Sequence, residues 1–317
     1  MKKLIVDCGA TNTDWFVSDG TQLRTVGFNL AQTPKEHLQA ILDDVSTKLG
    51  EGIEEVHFYA AGLVGESPVD LGRWFPGATV EYASDMVAAA RAVCRHRAGI
   101  AAILGTGANT CQWDGKQITR KVNCGGFILG DEGSAAVLGK FFLRDFLKDR
   151  VPGKMAKDFA QQFPSDYPTI VKNVYASDAP ARYLGSFAPF IISYYHSDEY
   201  ATSLVDANFS AFFERAVRQY DSLPLGVVGS FGFACKDILL AIGARYGVSF
   251  SMFLPTPLEG LKKYHGLERA ISVGPAHRGG GGYQLPSGGW SPERPAPCPA
   301  PAQAARRECA PLYIGHQ

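Results

Sequence analysis

Short apolar runs separated by small polar residues mark the start of the chain. Residues 3–6 predict a β-strand, residues 15–17 continue as extended chain, and an Asp-Gly hairpin turn precedes a third strand at residues 22–28. The sequence D-C-G-A-T-N-T-D, residues 7–14, therefore lies between two strands. Walker loops and dinucleotide-binding loops open a helix, so this position excludes both of them. Backbone N–H groups at such a tip can form an anion-binding nest.

The same order of elements returns in the middle of the chain. An apolar strand at residues 100–104 leads into the small residues G-T-G-A-N-T at 105–110. A strand, a second Asp-Gly turn at 114–115 and a further strand at 117–122 follow. Two interpretations are open. The pattern is either two ordinary hairpins, or a duplicated domain whose two phosphate loops face each other across a cleft.

Strands and helices alternate between the two hairpins, which indicates an α/β architecture. Apolar residues at helical spacing predict a helix over 34–49, and strands are predicted at 56–59 and 79–82. Asp85 follows the second of these strands and precedes an alanine-rich helix predicted over 86–97. It is either the N-cap of that helix or a catalytic carboxylate at the carboxyl end of a strand. Local sequence alone favours the cap.

Two further carboxylates, Asp131 and Glu132, stand in the glycine-rich segment 125–134 ahead of a predicted helix. Acidic residues at a helix start complement the helix dipole, but the flanking glycines also allow a ligand to approach the backbone.

The remaining predictions are aromatic-rich helices over 151–222, a buried strand with a glycine turn at 225–233, a helix at 236–245, a strand at 249–254 and a helix at 257–265.

Composition and charge argue against nucleic-acid binding and membrane contact. The formal net charge is zero and no dense basic run occurs, which argues against nucleic-acid binding. No apolar stretch approaches the ~20 residues that span a bilayer, so no membrane contact is expected. The seven cysteines form no C-x-x-C pair, which is typical of a reduced cytoplasmic chain without a disulfide framework or zinc site. The Pro/Gly-rich residues 274–317 have no apolar periodicity and are expected to be a disordered tail.

Six segments taken together resemble those of one family. Their sequences are D-C-G-A-T-N-T-D, I-L-G-T-G-A-N-T, S-D-M-V-A-A-A-R, G-F-I-L-G-D-E-G-S, V-V-G-S-F-G-F and P-L-E-G-L-K-K-Y-H. They are similar to the motifs of the N-acetylglucosamine kinase and BadF/BadG/BcrA/BcrD-type ATPase family, bacterial branch, of the sugar kinase, actin and Hsp70 superfamily. G-D-E-G-S together with both phosphate loops in this order is the most specific part of the resemblance.

The resemblance, which covers residues 3–270, implies a fold and a domain division. The fold is α/β, with duplicated ribonuclease H-like (actin-like ATPase) domains around a central cleft that holds ATP and a sugar. The expected domains are 1–104, with the first phosphate loop and the catalytic aspartate, and 105–273, with the second phosphate loop and the adenosine loop. The last helix, 257–270, is expected to pack back against the first domain.

The resemblance also implies a role for each matching residue. Asp85 would be the general base that accepts the proton of the sugar 6-hydroxyl, and Asp7 would hold Mg²⁺ through water. ATP would be bound by Asp7, Gly9, Thr11, Asn12, Thr13, Gly105, Thr106, Gly107, Asn109, Gly229 and Ser230. The sugar would be bound by Asn29, Gly126, Asp131 and Glu132.

The sequence therefore predicts a cytoplasmic, ATP-dependent kinase of a small amino sugar, with N-acetylglucosamine as the expected substrate. Cys8 and Asn12 stand where many relatives carry glycine and lysine or arginine, which departs from the family pattern. One alternative is an ATPase that activates a partner enzyme, although the cysteines lack the spacing of its iron–sulfur cluster. Another is a non-catalytic nucleotide or sugar sensor. Whether the protein forms a homodimer is left open.

Overall fold

The computed structural model describes residues 1–9, 12–28, 33–63 and 69–267. The predicted tail at 274–317 and the predicted ligands Thr11 and Asn29 lie outside these ranges. Residues 1–269 form one compact unit, and it contains both of the sheets described next. Within the described ranges, no helix combines the length and the apolar character needed to cross a membrane.

Two five-stranded mixed sheets organise this unit. The first contains β1 (Lys2–Cys8), β2 (Asn12–Val17), β3 (Gln22–Val26), β4 (Ile53–Ala60) and β5 (Thr79–Ser84), in the order β3-β2-β1-β4-β5. The second contains β6 (Gly99–Leu104), β7 (Ala108–Trp113), β8 (Ile118–Val122), β9 (Leu225–Val228) and β10 (Phe250–Leu254), in the order β10-β9-β6-β7-β8. In each sheet the first three strands form an antiparallel meander and the last two run parallel to its first strand. The equal order and direction confirm the predicted duplication.

The second sheet begins before the predicted second domain does. Its first strand, β6, starts at Gly99, whereas the predicted division falls after residue 104. A division ahead of β6 keeps every strand of the second sheet in one domain, so it fits the two sheets better.

Helices fill the connections between the strands. They are α1 (Lys35–Leu49), α2 (Asp85–Val93), α3 (Gly126–Leu129), α4 (Ala135–Phe146), α5 (Gly153–Gln162), α6 (Tyr167–Tyr175), α7 (Pro180–Gly185), α8 (Ala188–Ser193), α9 (Glu199–Arg215), α10 (Ser230–Ala234), α11 (Lys236–Arg245) and α12 (Leu258–Tyr264). Leu71–Arg73 and Val217–Gln219 are 3₁₀-helices. The segment from α5 to α9, which the sequence predicts as aromatic-rich helices, carries phenylalanines buried in one large cluster.

Helix α2 packs against both sheets. Met86 and Val93 belong to a cluster with residues of the second sheet, whereas Ala88 and Ala92 contact residues of the first sheet and of α12. The alanine-rich sequence follows from this double burial, because small side chains allow both surfaces to approach. Gly260 of α12 also comes close, since a Cβ there would lie 2.5 Å from the carbonyl oxygen of Ala92. Asp85 at the start of α2 is thereby fixed relative to both sheets.

The structure corrects several predicted boundaries. Helix α2 ends at Val93 rather than at residue 97, because Arg95 takes the left-handed conformation (φ 55°) that terminates helices. Helices α3 and α10 were not predicted, since their glycine-rich sequences resemble loops.

Candidate active site

A cavity of about 620 Å³ lies at the carboxyl ends of the parallel strands of both sheets. Ligands bind at this edge in open α/β sheets. The cavity is lined by most of the residues that the sequence singled out: Asp7, Gly9, Asn12, Asp85, Gly105, Thr106, Gly107, Asn109, Gly126, Asp131, Gly229 and Ser230. The structure thus brings residues of both predicted phosphate loops and three of the predicted carboxylates, Asp7, Asp85 and Asp131, to one space.

Three charged residues of the first sheet form a row across neighbouring strands. Asp7 of β1 lies opposite Asp14 of β2, and Asp14 lies opposite Arg24 of β3. Residues opposite each other in a sheet project from the same face, and all three line the cavity. Arg24 donates from Nε to Asp14 Oδ1 at 2.6 Å and from Nη2 to Asp14 Oδ2 at 3.0 Å.

The carboxyl of Asp7 is strongly perturbed. Burial and the negative charges of Asp14 and Asp85 outweigh the opposing charge of Arg24, and together they raise the pKa of Asp7 to about 7. A carboxyl in this setting favours either a proton or a bound cation near neutral pH. Perturbed carboxyls of this kind are concentrated at functional sites.

Ser84, rather than Asp85, caps helix α2. The Ser84 Oγ accepts the backbone N–H of Val87 at 3.3 Å, and Asp85 is the first residue of the helix. The N-cap interpretation of Asp85 is therefore wrong. Burial raises the pKa of the Asp85 carboxyl, although the backbone N–H of Met86 and the charge of Lys121 lower it.

The second phosphate loop is anchored to the start of α4. The carbonyl oxygens of Gly105 and Thr106 accept the N–H groups of Ala135 and Ala136 at 3.0 and 3.1 Å. A Cβ on Gly105 would meet no atom within 4 Å, so this part of the loop borders open space. The loop can therefore receive an anion against its backbone.

Asp131 is held in a strained conformation beside this loop. Its backbone has φ 55°, its N–H donates to the carbonyl of Cys124 at 2.8 Å, and its carbonyl accepts the N–H of Ser134 at 3.0 Å. Burial raises the pKa of the carboxyl, which accepts the backbone N–H of Ala108. Non-glycine residues in this conformation are often found at functional sites.

The two glycines that flank Asp131 and Glu132 lie too close to neighbouring atoms to carry a side chain. A Cβ on Gly130 would lie 1.9 Å from the Cys124 carbonyl oxygen, and one on Gly133 would lie 2.7 Å from the Cβ of Phe212. Any larger residue would clash at both positions, and the backbone of Gly130 also lines a cavity.

Two predicted ligands do not line the main cavity. Thr13 is fully buried and its hydroxyl donates to the Cys8 Sγ at 3.4 Å, because strand alternation turns it away from Asp14. Glu132 instead lines an adjoining cavity of about 320 Å³, where its carboxylate lies 3.7 Å from Arg215. Asp131 borders both cavities.

Some residues that line the main cavity were not predicted from the sequence. Asp14 and Arg24 belong to the first hairpin, and their strand register, which the sequence does not give directly, is what places them together. The segment Pro255-Thr256-Pro257 between β10 and α12 also borders the cavity, beside Gly229 and Ser230. Its two prolines directly after a predicted strand were the available signal.

No group of three or more metal-binding side chains is arranged to enclose an ion directly within the described ranges. Among the carboxylates that line the cavity, Asp14 and Asp85 both act electrostatically on Asp7. This oxygen-rich set suits Mg²⁺, which keeps several waters and uses one or two carboxylates.

Three bacterial proteins of known structure illustrate what this chain is similar to. A candidate N-acetylglucosamine kinase from Porphyromonas gingivalis is 35% identical, with a TM-score of 0.76 over 83% of this chain and 98% of that chain. One from Chromobacterium violaceum is 19% identical, with a TM-score of 0.63 over 84% and 99% of the two chains. A ROK family glucokinase from Streptomyces griseus, in complex with glucose and AMPPNP, is 16% identical, with a TM-score of 0.51 over 84% and 99%. No protein-family model matches the chain, and no curated protein does.

Proposed function

Because the chain belongs to the N-acetylglucosamine kinase family of sugar kinases, within the actin-like ATPase superfamily, we propose that it transfers the γ-phosphate of ATP to the 6-hydroxyl of an amino sugar. The duplicated ribonuclease H-like fold, which the structural likenesses confirm, belongs to this superfamily. The observation that carries the proposal is the convergence of both loops, Asp85 and Asp131 on one cavity.

In this proposal ATP lies between the two loops. The backbone around Gly9, together with Asn12, would hold phosphates from the first sheet, and Gly105 to Asn109 would hold them from the second. Gly229 and Ser230 would border the adenosine, with Pro255 and Pro257 beside them. Phosphoryl transfer depends mainly on positioning and on electrostatic stabilisation, and a divided site of this kind provides both.

Asp85 would act as the general base. Its carboxylate faces the cavity, and its raised pKa brings it closer to the range in which a base accepts a proton effectively at neutral pH. The proton would pass from the sugar 6-hydroxyl to Asp85 as the oxygen attacks phosphorus. Asp131 and Gly126 would hydrogen-bond the sugar from the opposite side of the cavity.

Asp7 would hold Mg²⁺ through water, and a bound Mg²⁺ would neutralise charge on the phosphates. The raised pKa of Asp7 supports a cation site here, because a bound cation would relieve the repulsion among Asp7, Asp14 and Asp85. Asp7 and Asp85 would then have separate tasks, one holding the ion and the other receiving the proton.

N-acetylglucosamine is the substrate we propose first, because the P. gingivalis relative bears that name. The test is ADP release with Mg·ATP across N-acetylglucosamine, glucosamine, N-acetylmannosamine and glucose, with a reaction lacking sugar as the control. We expect strong stimulation by N-acetylglucosamine and a matching sugar phosphate by mass spectrometry. Release that is equal with and without every sugar would contradict the kinase proposal.

A further inference from the structure

The main cavity has an unusual balance of charge. Its lining contains the carboxylates of Asp7, Asp14, Asp85 and Asp131, and Arg24 is the only arginine or lysine that lines it among the described residues. A polyphosphate is strongly anionic, and repulsion from these carboxylates opposes its entry. The proposed Mg²⁺ would offset part of this repulsion, and a cationic side chain that faces the same space would offset more of it.

Arg24 has the geometry to serve as that cation. Its two bonds to Asp14 fix the guanidinium plane and use one N–H of Nε and one of Nη2. A guanidinium carries five N–H donors, so three remain, and they meet no acceptor within the described part of the chain. The Arg24 side chain is 63% exposed, whereas that of Asp14 is 14% exposed.

Arg24 lies near the part of the cavity where the terminal phosphate of ATP would react, rather than near the proposed adenosine site. Arg24, Asp14 and Asp7 follow one another across three strands, and the charge of Asp85 also acts on Asp7. These four groups therefore share one region of the cavity. Gly229 and Ser230, which would border the adenosine, come instead from the end of β9 in the second sheet.

We propose that Arg24 is a phosphate-binding residue whose free guanidinium N–H groups contact the terminal phosphate of ATP, with Asp14 holding the guanidinium in place. This inference rests on the proposed function and adds a residue to it. Arginine suits the role because its planar, fork-shaped donor set matches phosphate oxygens.

The competing explanation is that Arg24 only neutralises Asp14. A double-mutant cycle separates the two, using Arg24→Gln, Asp14→Asn and the double variant. If Arg24 only neutralises Asp14, removing both partners should restore kcat/KM for ATP to near the wild-type value. If Arg24 contacts phosphate, the double variant should stay about 10- to 100-fold below the wild type in kcat/KM for ATP. Double-variant activity within about 2-fold of the wild type would overturn the proposal.

A binding measurement makes the test independent of the sugar. Calorimetry of the wild type and Arg24→Gln with AMPPNP and with ADP compares ligands that differ in the terminal phosphate. We expect AMPPNP to weaken about 10-fold while ADP changes by less than about 2-fold. Equal weakening of both ligands, or of neither, would overturn the Arg24 proposal. A wild type that binds AMPPNP but phosphorylates no sugar would instead contradict the proposed function and leave this comparison valid.

Discussion

Asp7 lies directly opposite Asp14 in the register of β1 and β2, so two carboxylates face one cavity from adjacent strands. Like charges at opposite positions of a sheet are destabilising. Burial, Asp14 and Asp85 together raise the pKa of Asp7 to about 7. Ionised Asp7 therefore lowers the stability of the protein near neutral pH, and such a loss of stability is typical of a functional site.

Asp7→Asn should stabilise the protein, and more so at high pH. Because the folded pKa is raised from 3.8 to about 7, the favourable contribution of Asp7 is complete below the unfolded pKa and is lost as pH rises through about 7. The variant escapes this loss. Its gain in free energy of unfolding, measured by urea titration, should be roughly 3 kcal/mol larger at pH 8 than at pH 5.

The matched control is Asp178→Asn, which removes an exposed carboxylate in the turn between α6 and α7. It should change stability by less than about 0.5 kcal/mol at either pH. An Asp7→Asn gain that is the same at pH 5 and pH 8 would show that the Asp7 carboxyl is not perturbed.

Asp85→Asn should lower kcat by about 10²- to 10⁴-fold while AMPPNP binding stays near the wild-type value, because the carboxylate acts on the acceptor hydroxyl. Thermal stability should not fall, since Ser84 caps the helix and the buried Asp85 carboxyl has a raised pKa. Ser84→Ala is the converse variant, and it should lose about 1 kcal/mol of stability and retain the chemistry. Near-normal turnover of Asp85→Asn would refute the general-base role.

Alanine substitutions at two glycines of the second phosphate loop should raise the KM of different substrates. A Cβ on Gly107 would lie 2.9 Å from Asp131 Oδ2, so Gly107→Ala should displace that carboxylate and raise KM for the sugar several-fold. A Cβ on Gly105 meets nothing, so Gly105→Ala should keep its melting temperature but raise KM for ATP, because the methyl group would occupy phosphate space. Steady-state kinetics with each substrate varied in turn separates the effects. Identical kinetic changes in both variants would contradict this assignment.

Cysteine reactivity should report on the cavity. Burial raises the pKa of Cys8 to about 11 and those of Cys94, Cys111 and Cys235 to about 12, so these thiols stay protonated and shielded at pH 8. Cys8 and Cys124 both line the cavity, but Cys8 is buried whereas Cys124 is only partly buried.

Iodoacetamide should therefore modify Cys124 before these four cysteines, and AMPPNP with N-acetylglucosamine should slow the reaction. Peptide mass spectrometry over time measures each site separately. Equal rates at Cys8 and Cys124 would show that the predicted shielding is absent.

The sequence predicts the sheets well because their signals are local. The two hairpins with Asp-Gly turns and the apolar strands appear in the structure in the expected order, since each depends on neighbouring residues. The end of α2 was wrong by several residues because Arg95 adopts a conformation that usually requires glycine.

The sequence predicts the site residues that belong to recognisable motifs. It does not predict the residues that are brought together only by strand register. Asp7, Asp85 and Asp131 reach one cavity from three distant segments, as the motifs implied. The pairing of Asp14 with Arg24 depends on strand register, and Thr13 turns inward for the same reason. Register is fixed by which face is buried, and that follows from tertiary packing.

ADP release with N-acetylglucosamine compared with its 6-deoxy analogue tests the central proposal most directly. The analogue keeps the acetamido group and the ring but has no hydroxyl to accept phosphate. We predict that Mg·ATP turnover by the wild type is stimulated by N-acetylglucosamine, giving its 6-phosphate, and is not stimulated by the analogue. Equal stimulation by both sugars would mean that the sugar only activates ATP hydrolysis, and the proposed transfer to the 6-hydroxyl would be wrong.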